Sequence, residues 1–311
     1  MNMERASSAS PTAAIDIRHL SKQYAGSAER ALDDLTLQVN PGEVYGFLGP
    51  NGAGKSTTIR LLVNFIQPTA GSATVGGHDV VTASIAVRRH LGYLAGDVPI
   101  YPKLTGHQYL GYLGALRGGS YAKKIKQLAT RLDADLNKKM GDLSRGNRQK
   151  IGIIQAFMHE PDIYILDEPT SGLDPLMQEV FYQLVNQAKA QGAAIFMSSH
   201  ILSEVQKVCD RVGIIKAGRL VREQTLAELT ETTVQTFVVK FGGPVPLAEL
   251  HHVPGVHIVK HDNSSAELTV KGPLVPLLKT LAHHDVQTLH TPNLELESEF
   301  MDVYGTLGGR G

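Results

Sequence analysis

One short stretch of the chain has the residue types and spacing that bind a polyphosphate. Residues 49–56 read G-P-N-G-A-G-K-S and match G-x-x-x-x-G-K-[ST], between an apolar run at 44–48 and a helical pattern at 56–65. Glycines let successive backbone N–H groups turn toward phosphate oxygens, and the lysine places a point charge on the β- and γ-phosphates. We therefore predict a nucleoside triphosphate site in which Lys55 contacts phosphate and Ser56 faces Mg²⁺.

A second apolar run ends in two carboxylates. Residues 161–168 read P-D-I-Y-I-L-D-E, which predicts another central strand that ends beside acidic side chains. We expect Asp167, at the carboxyl end of that strand, to hold Mg²⁺. Glu168 follows it directly and is predicted to act as general base on the attacking water.

A third motif lies between the two strands. Residues 143–150 read L-S-R-G-N-R-Q-K and precede an apolar helical pattern, so Ser144 is predicted to cap that helix. The Ser144 hydroxyl, the bare backbone of Gly146 and the free N–H groups of a helix start could bind a γ-phosphate. Taken alone, Ser plus Gly at a helix start is more often an ordinary cap than an anion site. The residues that follow Glu168 decide between these interpretations.

Those residues complete an ordered set of motifs. Residues 169–175 read P-T-S-G-L-D-P, with Asp174 predicted to cap the next helix. Phosphate loop, L-S-x-G-x-x-Q, apolar strand with Asp-Glu, and S-G-L-D occur in this order in ATP-binding cassette (ABC) ATPases, which the chain resembles over about residues 15–222. His200, in S-S-H, matches the switch histidine of that family, which contacts the γ-phosphate. Tyr24 matches its adenine-stacking aromatic residue.

The resemblance implies ATP and Mg²⁺ as ligands and assigns a role to each matching residue. The implied catalytic residues are Glu168, His200 and Lys55. The implied metal ligands are Ser56 and Asp167. The implied nucleotide-binding residues are Tyr24, Gly49, Pro50, Asn51, Gly52, Ala53, Gly54, Lys55, Ser56, Thr57, Ser144, Gly146 and Asp174.

Two departures from the family pattern stand out. Arg145 and Asn147 occupy the third and fifth positions of the motif that the family usually writes L-S-G-G-Q. Gly96 stands where the family usually has a glutamine that reaches the metal. The phosphate, metal and base residues all remain, so we expect ATP hydrolysis.

The patterns predict an α/β fold with two domains. The resemblance implies a P-loop NTPase cassette, with a mixed sheet core and a helical subdomain, and the patterns after it predict a small α+β C-terminal domain. The predicted boundaries are a flexible tail at 1–14, the ABC ATP-binding domain at 15–224 with its helical subdomain at about 97–160, and an accessory domain at 225–311. In the accessory domain we expect strands at 237–239, 256–259 and 266–270, and helices at 273–283 and 294–304.

Composition excludes several classes of protein. The chain of 311 residues has 30 Lys plus Arg and 30 Asp plus Glu, so no net positive field favours nucleic acid. The single cysteine, Cys209, excludes an internal disulfide. No apolar run approaches the roughly 20 residues that cross a bilayer. We interpret the histidines of the C-terminal part as scattered surface residues, because adjacent pairs cannot face one way on a strand.

The resemblance also predicts partners. Each motif occurs once, and in the family ATP lies between the phosphate loop of one cassette and the L-S-x-G motif of another. We expect a second ATP-binding subunit, identical or a close paralogue, and separate transmembrane permease subunits that hold the pair at the cytoplasmic face of the membrane. The residues within these motifs are similar to those in the ATPase subunits of bacterial antibiotic, drug and peptide exporters.

Other classes of function stay open at this stage. An importer ATPase and a soluble cassette acting on ribosomes or nucleic acid are the alternatives within the family. A P-loop GTPase or small-molecule kinase is the alternative outside it. Residues 137–140 read N-K-K-M and fail the guanine-reading pattern N-K-x-D at the last position, which disfavours the GTPase.

Overall fold

A computed structural model describes residues 13–99, 101–228 and 235–291. The chain divides into two compact units, Met1–Glu223 and Gln224–Gly311. Each unit has its own hydrophobic core among the described residues. The helix predicted at 294–304 and most of the predicted tail lie outside the described residues.

The first unit contains two sheets. The antiparallel sheet consists of β1 (Ile15–Gln23), β2 (Arg30–Val39), β4 (Ala70–Val75) and β5 (His78–Asp79), in the order β2-β1-β4-β5. The second sheet has the order β10-β9-β3-β8-β7-β6, with parallel pairing from β9 to β6. Its strands are β3 (Val44–Leu48), β6 (Leu91–Leu94), β7 (Ile163–Asp167), β8 (Ala194–Ser199), β9 (Arg211–Lys216) and β10 (Arg219–Thr225). This is the predicted mixed α/β architecture.

The helices of the first unit surround these sheets. They are α1 (Lys55–Leu62), α2 (Ser84–Arg89), α3 (Gly106–Leu116), α4 (Ala122–Arg131), α5 (Arg145–Phe157), α6 (Pro175–Ala190) and α7 (Leu202–Val208). Between β6 and β7 the chain forms α3, α4, a short 3-10 helix (Met140–Asp142) and α5, inside the range predicted for the helical subdomain. No helix in the described part of the chain is long and apolar enough to cross a membrane.

One predicted helix is shorter than expected. The pattern at 56–65 predicts a helix to Phe65, but α1 ends at Leu62. The reason lies at Asn64, whose φ of 54° is in the left-handed region. Asparagine tolerates that conformation, which a right-handed helix cannot continue through.

The core of the larger sheet places three loops side by side. Every residue of β3, β7 and β8 is buried, as expected for parallel strands covered on both faces. The rings of Tyr45 and Phe196 stack across β3 and β8 at 5.8 Å between centroids. At the carboxyl ends, Leu48 pairs with Ser199 and Asp167 pairs with Ser198. The loops after these strands therefore leave the sheet at one edge, where open α/β sheets bind ligands.

The second unit is a four-stranded antiparallel sheet with two short helices. Its elements are β11 (Gln235–Phe241), α8 (Leu247–His251), β12 (Val256–His261), β13 (Ser265–Val270), α9 (Val275–Leu281) and β14 (Val286–His290). The strand order is β12-β13-β11-β14. Alternate residues of β13, namely Ala266, Leu268 and Val270, are buried in its core. The strands and the helix predicted inside this range are present, whereas α8 and β14 were not predicted.

Candidate functional site

The phosphate loop joins β3 to the start of α1 and is shaped by its glycines. Gly54 has a φ of 113° and precedes the helix, and no described side chain caps α1. Its leading N–H groups are therefore available to an anion. A Cβ atom on Gly54 would lie 2.8 Å from the Ala31 carbonyl oxygen, and one on Gly49 would lie 2.5 Å from that of Ile215. Larger residues at either position would displace the loop.

A cavity of about 350 Å³ lies at the carboxyl edge of the sheet. It collects most of the residues that the sequence predicts for catalysis and phosphate binding. Its lining consists of Ala31, Pro50, Asn51, Gly52, Gly54, Lys55, Ser56, Thr57, Gly96, Arg145, Asp167, Glu168, Ser171 and His200.

Lys55 is the buried cation of this cavity. Its ammonium donates to the carbonyl oxygens of Gly49 and Pro50, at 2.6 and 3.2 Å. It also lies 3.2 Å from Oε1 of Glu168, and its side chain is 5% exposed. A charge that is largely removed from water interacts strongly with a nearby anion. Lys55 is therefore placed to attract phosphate oxygens entering the loop.

Glu168 connects Lys55 to His200. The second carboxylate oxygen of Glu168 lies 2.5 Å from Nδ1 of His200. Glu168 also adopts a left-handed backbone conformation, with a φ of 48°. For a glutamate this costs on the order of 1 kcal/mol, a strain that is typical of functional positions. Phosphate oxygens would compete with the carboxylate for its contacts with Lys55 and His200, which would leave Glu168 free to accept a proton.

Asp167 is fixed beside the same cavity by a serine of the neighbouring strand. The hydroxyl of Ser198 donates to Oδ1 of Asp167 at 2.6 Å and accepts from the backbone N–H of Glu168 at 3.0 Å. Burial and then the charge of Asp167 raise the pKa of Tyr93 to about 12, so this phenol stays neutral at physiological pH. Asp167 and Ser56 both line the cavity, and carboxylate and hydroxyl oxygens are donors that Mg²⁺ prefers. The residues present thus fit a magnesium ion.

Several predicted nucleotide-binding residues do not line the cavity. Asp174 accepts from the backbone N–H of Met177 and caps α6, as predicted. Tyr24 is 38% exposed, with the ammonium of Lys22 at 5.4 Å from its ring centroid. The predicted residues outside the lining are Tyr24, Gly49, Ala53, Ser144, Gly146 and Asp174.

The cavity also contains residues to which the sequence assigned no role. Nη2 of Arg145 donates to the Ser171 hydroxyl at 2.9 Å, so the start of α5 reaches the loop that follows Glu168. A Cβ atom on Gly146 would lie 2.5 Å from the carbonyl oxygen of Gly172 in the same loop. Arg145 was visible in the sequence as a departure from the family motif. Ala31 also lines the cavity, and no motif in the sequence indicates that it would.

Comparison with known proteins agrees with this geometry. Residues 32–171 match the family model described as ABC transporter. The ABC transporter ATP-binding protein NatA of Bacillus subtilis (strain 168) is 36% identical over 65% of this chain and 85% of its own length. The chain belongs to the ABC transporter ATPases. As a member of this family it binds and hydrolyses ATP.

Two further relatives extend the comparison. The daunorubicin/doxorubicin resistance ATP-binding protein DrrA of Streptomyces peucetius is 37% identical over 70% of this chain and 67% of its own length. The Nod factor export ATP-binding protein I of Burkholderia lata is 29% identical, and its match covers 96% of this chain and 98% of that protein. The second match includes the C-terminal unit as well as the cassette.

Solved structures show the same fold. A structure of an ATP-binding subunit of an ABC transporter is 33% identical, with a TM-score of 0.64, over 69% of this chain and 91% of that chain. A dimeric ATP-binding cassette in a post-hydrolysis state, bound to ADP and Pi, has a TM-score of 0.62 at 23% identity, over 68% of this chain and 98% of that chain. The predicted cassette fold is therefore confirmed.

Gly96→Gln tests the missing glutamine beside Asp167. A Cβ atom on Gly96 would lie 3.3 Å from Oδ2 of Asp167, so a side chain fits only if the carboxylate shifts slightly. We expect nucleotide affinity to stay within about threefold, less than ~1 kcal/mol. The Mg²⁺ concentration that gives half-maximal ATPase activity should change by more than about threefold.

The matched control is Gly111→Gln on α3, where an added Cβ atom meets nothing within 4 Å. Fluorescent-nucleotide titration and ATPase assays over a series of Mg²⁺ concentrations measure both quantities. If Gly96→Gln behaves like Gly111→Gln in both assays, position 96 is not linked to the metal.

Proposed function

We propose that this chain is the ATP-hydrolysing subunit of a membrane exporter and acts with separate transmembrane permease subunits. The observation that carries the proposal is the likeness to an export ATPase along nearly the whole chain, including the C-terminal unit. The relative named for daunorubicin and doxorubicin resistance supports the same direction of transport.

We propose further that two ATP-binding subunits close around two nucleotides. Ser144 caps α5, where its hydroxyl accepts from the backbone N–H of Asn147 at 3.3 Å. It is exposed and does not line the cavity of its own chain. The anion-binding start of α5 is thus accessible to the nucleotide of another subunit, which supports a composite site.

The residues of the cavity divide the work of hydrolysis. Lys55 and the N–H groups of the phosphate loop bind and orient the triphosphate, and Ser56 with Asp167 would hold the metal. When bound, Mg²⁺ would neutralise negative charge on the β- and γ-phosphates. Glu168 accepts the proton of the attacking water, and His200 contacts the γ-phosphate once its hydrogen bond to Glu168 is exchanged.

The proposed organisation assigns the ATP-binding domain to residues 15–224 and an accessory domain to 225–311. The division of contacts at Glu223 supports this boundary. The protein would be peripheral, held at the cytoplasmic face of the cell membrane by its permease. Nucleic acid is not a proposed partner, because the charges of the chain balance.

The direct test is a purification from solubilised membranes followed by transport. We expect the tagged chain to recover a polypeptide with several membrane spans. Inside-out vesicles containing both should take up daunorubicin when ATP is added, because export from a cell becomes uptake into such vesicles. Recovery of ribosomes, or uptake only by right-side-out vesicles with a solute-binding protein, would contradict the proposal.

The composite site makes a separate prediction for mixed dimers. Ser144→Arg should bind ATP as a monomer but not support hydrolysis, because Ser144 serves the nucleotide of the other subunit. Mixed with Lys55→Ala, it forms heterodimers in which one site carries both defects and the other carries none. Some ATPase activity should therefore return on mixing. Absence of activity in heterodimers isolated by two affinity tags would count against this assignment.

A further inference from the structure

A buried carboxylate joins the loop that contains Glu168 to the loop that contains His200. Glu204, on α7, is 7% exposed. Its Oε1 accepts from the hydroxyl of Thr170 at 2.6 Å, and its Oε2 accepts from the hydroxyl of Ser199 at 2.7 Å. Burial of a carboxylate is unfavourable unless hydrogen bonds replace its water. Here one oxygen atom accepts from a hydroxyl of the loop after β7, and the other accepts from a hydroxyl at the end of β8.

Each of these hydroxyls lies next to a residue of the candidate site. Thr170 is two residues beyond Glu168, and Ser199 directly precedes His200. The Ser199 hydroxyl also accepts from the backbone N–H of Ile201 at 3.0 Å, which closes the turn that carries His200. Glu204 therefore bonds to one residue close to Glu168 in the chain and to one residue directly before His200.

We propose that Glu204 is a positioning residue for the Glu168–His200 pair. Its two oxygens hold the Thr170 loop and the Ser199 turn at one separation, and that separation sets the 2.5 Å contact between His200 and Glu168. Glu204 does not line the cavity and acts only through its neighbours. The proposal rests on the roles proposed above for Glu168 and His200.

A carboxylate suits this task better than the related side chains. It accepts two hydrogen bonds through two oxygens, whereas glutamine offers one acceptor oxygen and an amide that must donate. Leucine has a similar volume and offers no acceptor, so the Thr170 and Ser199 hydroxyls would lose their buried partner. Glu204→Gln should therefore show a partial defect, and Glu204→Leu the full one.

The first measurement is the steady-state ATPase activity of the Glu204 variants. Glu204→Leu should lower kcat by about tenfold or more while KM for ATP stays within about threefold, since the phosphate contacts remain. Glu204→Gln should lie between Glu204→Leu and wild type. The matched control is Glu179→Leu on α6, which removes the exposed ion-pair partner of Lys207 on α7 and should leave kcat unchanged.

A double-mutant comparison separates positioning from general stability. In a His200→Ala background the pair no longer exists, so Glu204→Leu should change the residual kcat by less than about twofold. An undiminished loss in that background, or a wild-type kcat for Glu204→Leu alone, would overturn the proposal. If His200→Ala itself keeps full activity, the role of His200 is wrong, which is a distinct result.

Thr170→Val provides a second approach if Glu204→Leu does not fold. It removes one of the two hydroxyl donors and keeps the carboxylate bonded to Ser199. We expect an intermediate kcat with unchanged KM and a thermal midpoint close to wild type. Unchanged kcat in both Thr170→Val and Glu204→Gln would also contradict the positioning role.

Discussion

Glu168→Gln is expected to bind ATP and to form a stable dimer while hydrolysing ATP at about one hundredth of the wild-type rate or less. The variant keeps the phosphate loop and an oxygen that Lys55 can contact, so nucleotide binding is retained. Its amide cannot accept the proton of the attacking water. Closed dimers should therefore accumulate, because the step that reopens them is lost. Gel filtration with ATP and Mg²⁺ shows the dimer, and phosphate release measures the rate.

The control for this variant is Glu160→Gln. Glu160 has the same left-handed φ of 48° as Glu168, but it is paired with Lys124 outside the cavity. Both substitutions therefore face the same backbone conformation, and only one removes the proposed base. If Glu168→Gln stays monomeric under conditions in which wild type dimerises, or if both variants hydrolyse ATP equally, the role assigned to Glu168 is wrong.

The sequence predicted the parts of the site that are encoded locally. The phosphate loop places Lys55 at the start of the helix that follows a strand, and the apolar run before Asp-Glu places Asp167 at the end of another strand. The family resemblance added the role of His200, in Ser-Ser-His. Parallel pairing of β3, β8 and β7 then brings these ends together. The apolar spacing predicted individual strands and helices, and the family resemblance predicted how they are arranged in the cassette.

The contacts that the sequence did not predict join segments far apart in the chain. Arg145 meets Ser171, and Glu204 meets Thr170, through side chains that could equally have faced solvent. No spacing rule connects such pairs, because their separation depends on how α5 and α7 pack. Strand β14 was also not predicted, because its side chains are mostly exposed and show no alternating pattern.

Element ends were also set by features outside the apolar pattern. The hydrophobic spacing of α1 continues to Phe65, yet the helix ends three residues earlier at Leu62, before the left-handed Asn64. The short helix α8 has five residues, too few for helical periodicity to show. Such features follow from backbone conformation and tertiary packing more than from composition.

Lys55→Ala is expected to abolish detectable ATP hydrolysis and to weaken ATP binding by about tenfold to a hundredfold, the worth of a hydrogen bond to a charged group. The phosphate loop loses the ammonium that we expect to face the β- and γ-phosphates. The loss should be similar for ATP and ADP and small for AMP, because AMP has only the phosphate nearest the ribose. Titration with the three nucleotides by calorimetry measures this series.

Lys150→Ala is the matched control, because Lys150 is also a largely buried lysine on a helix that donates to a backbone carbonyl, that of Asp133 at 3.1 Å. It lies outside the cavity, so its loss should leave all three affinities within about twofold. Thermal unfolding of both variants separates folding from binding. Equal weakening of ATP, ADP and AMP by Lys55→Ala would mean that the loop itself had collapsed, and the assigned contact with the terminal phosphates would then be wrong.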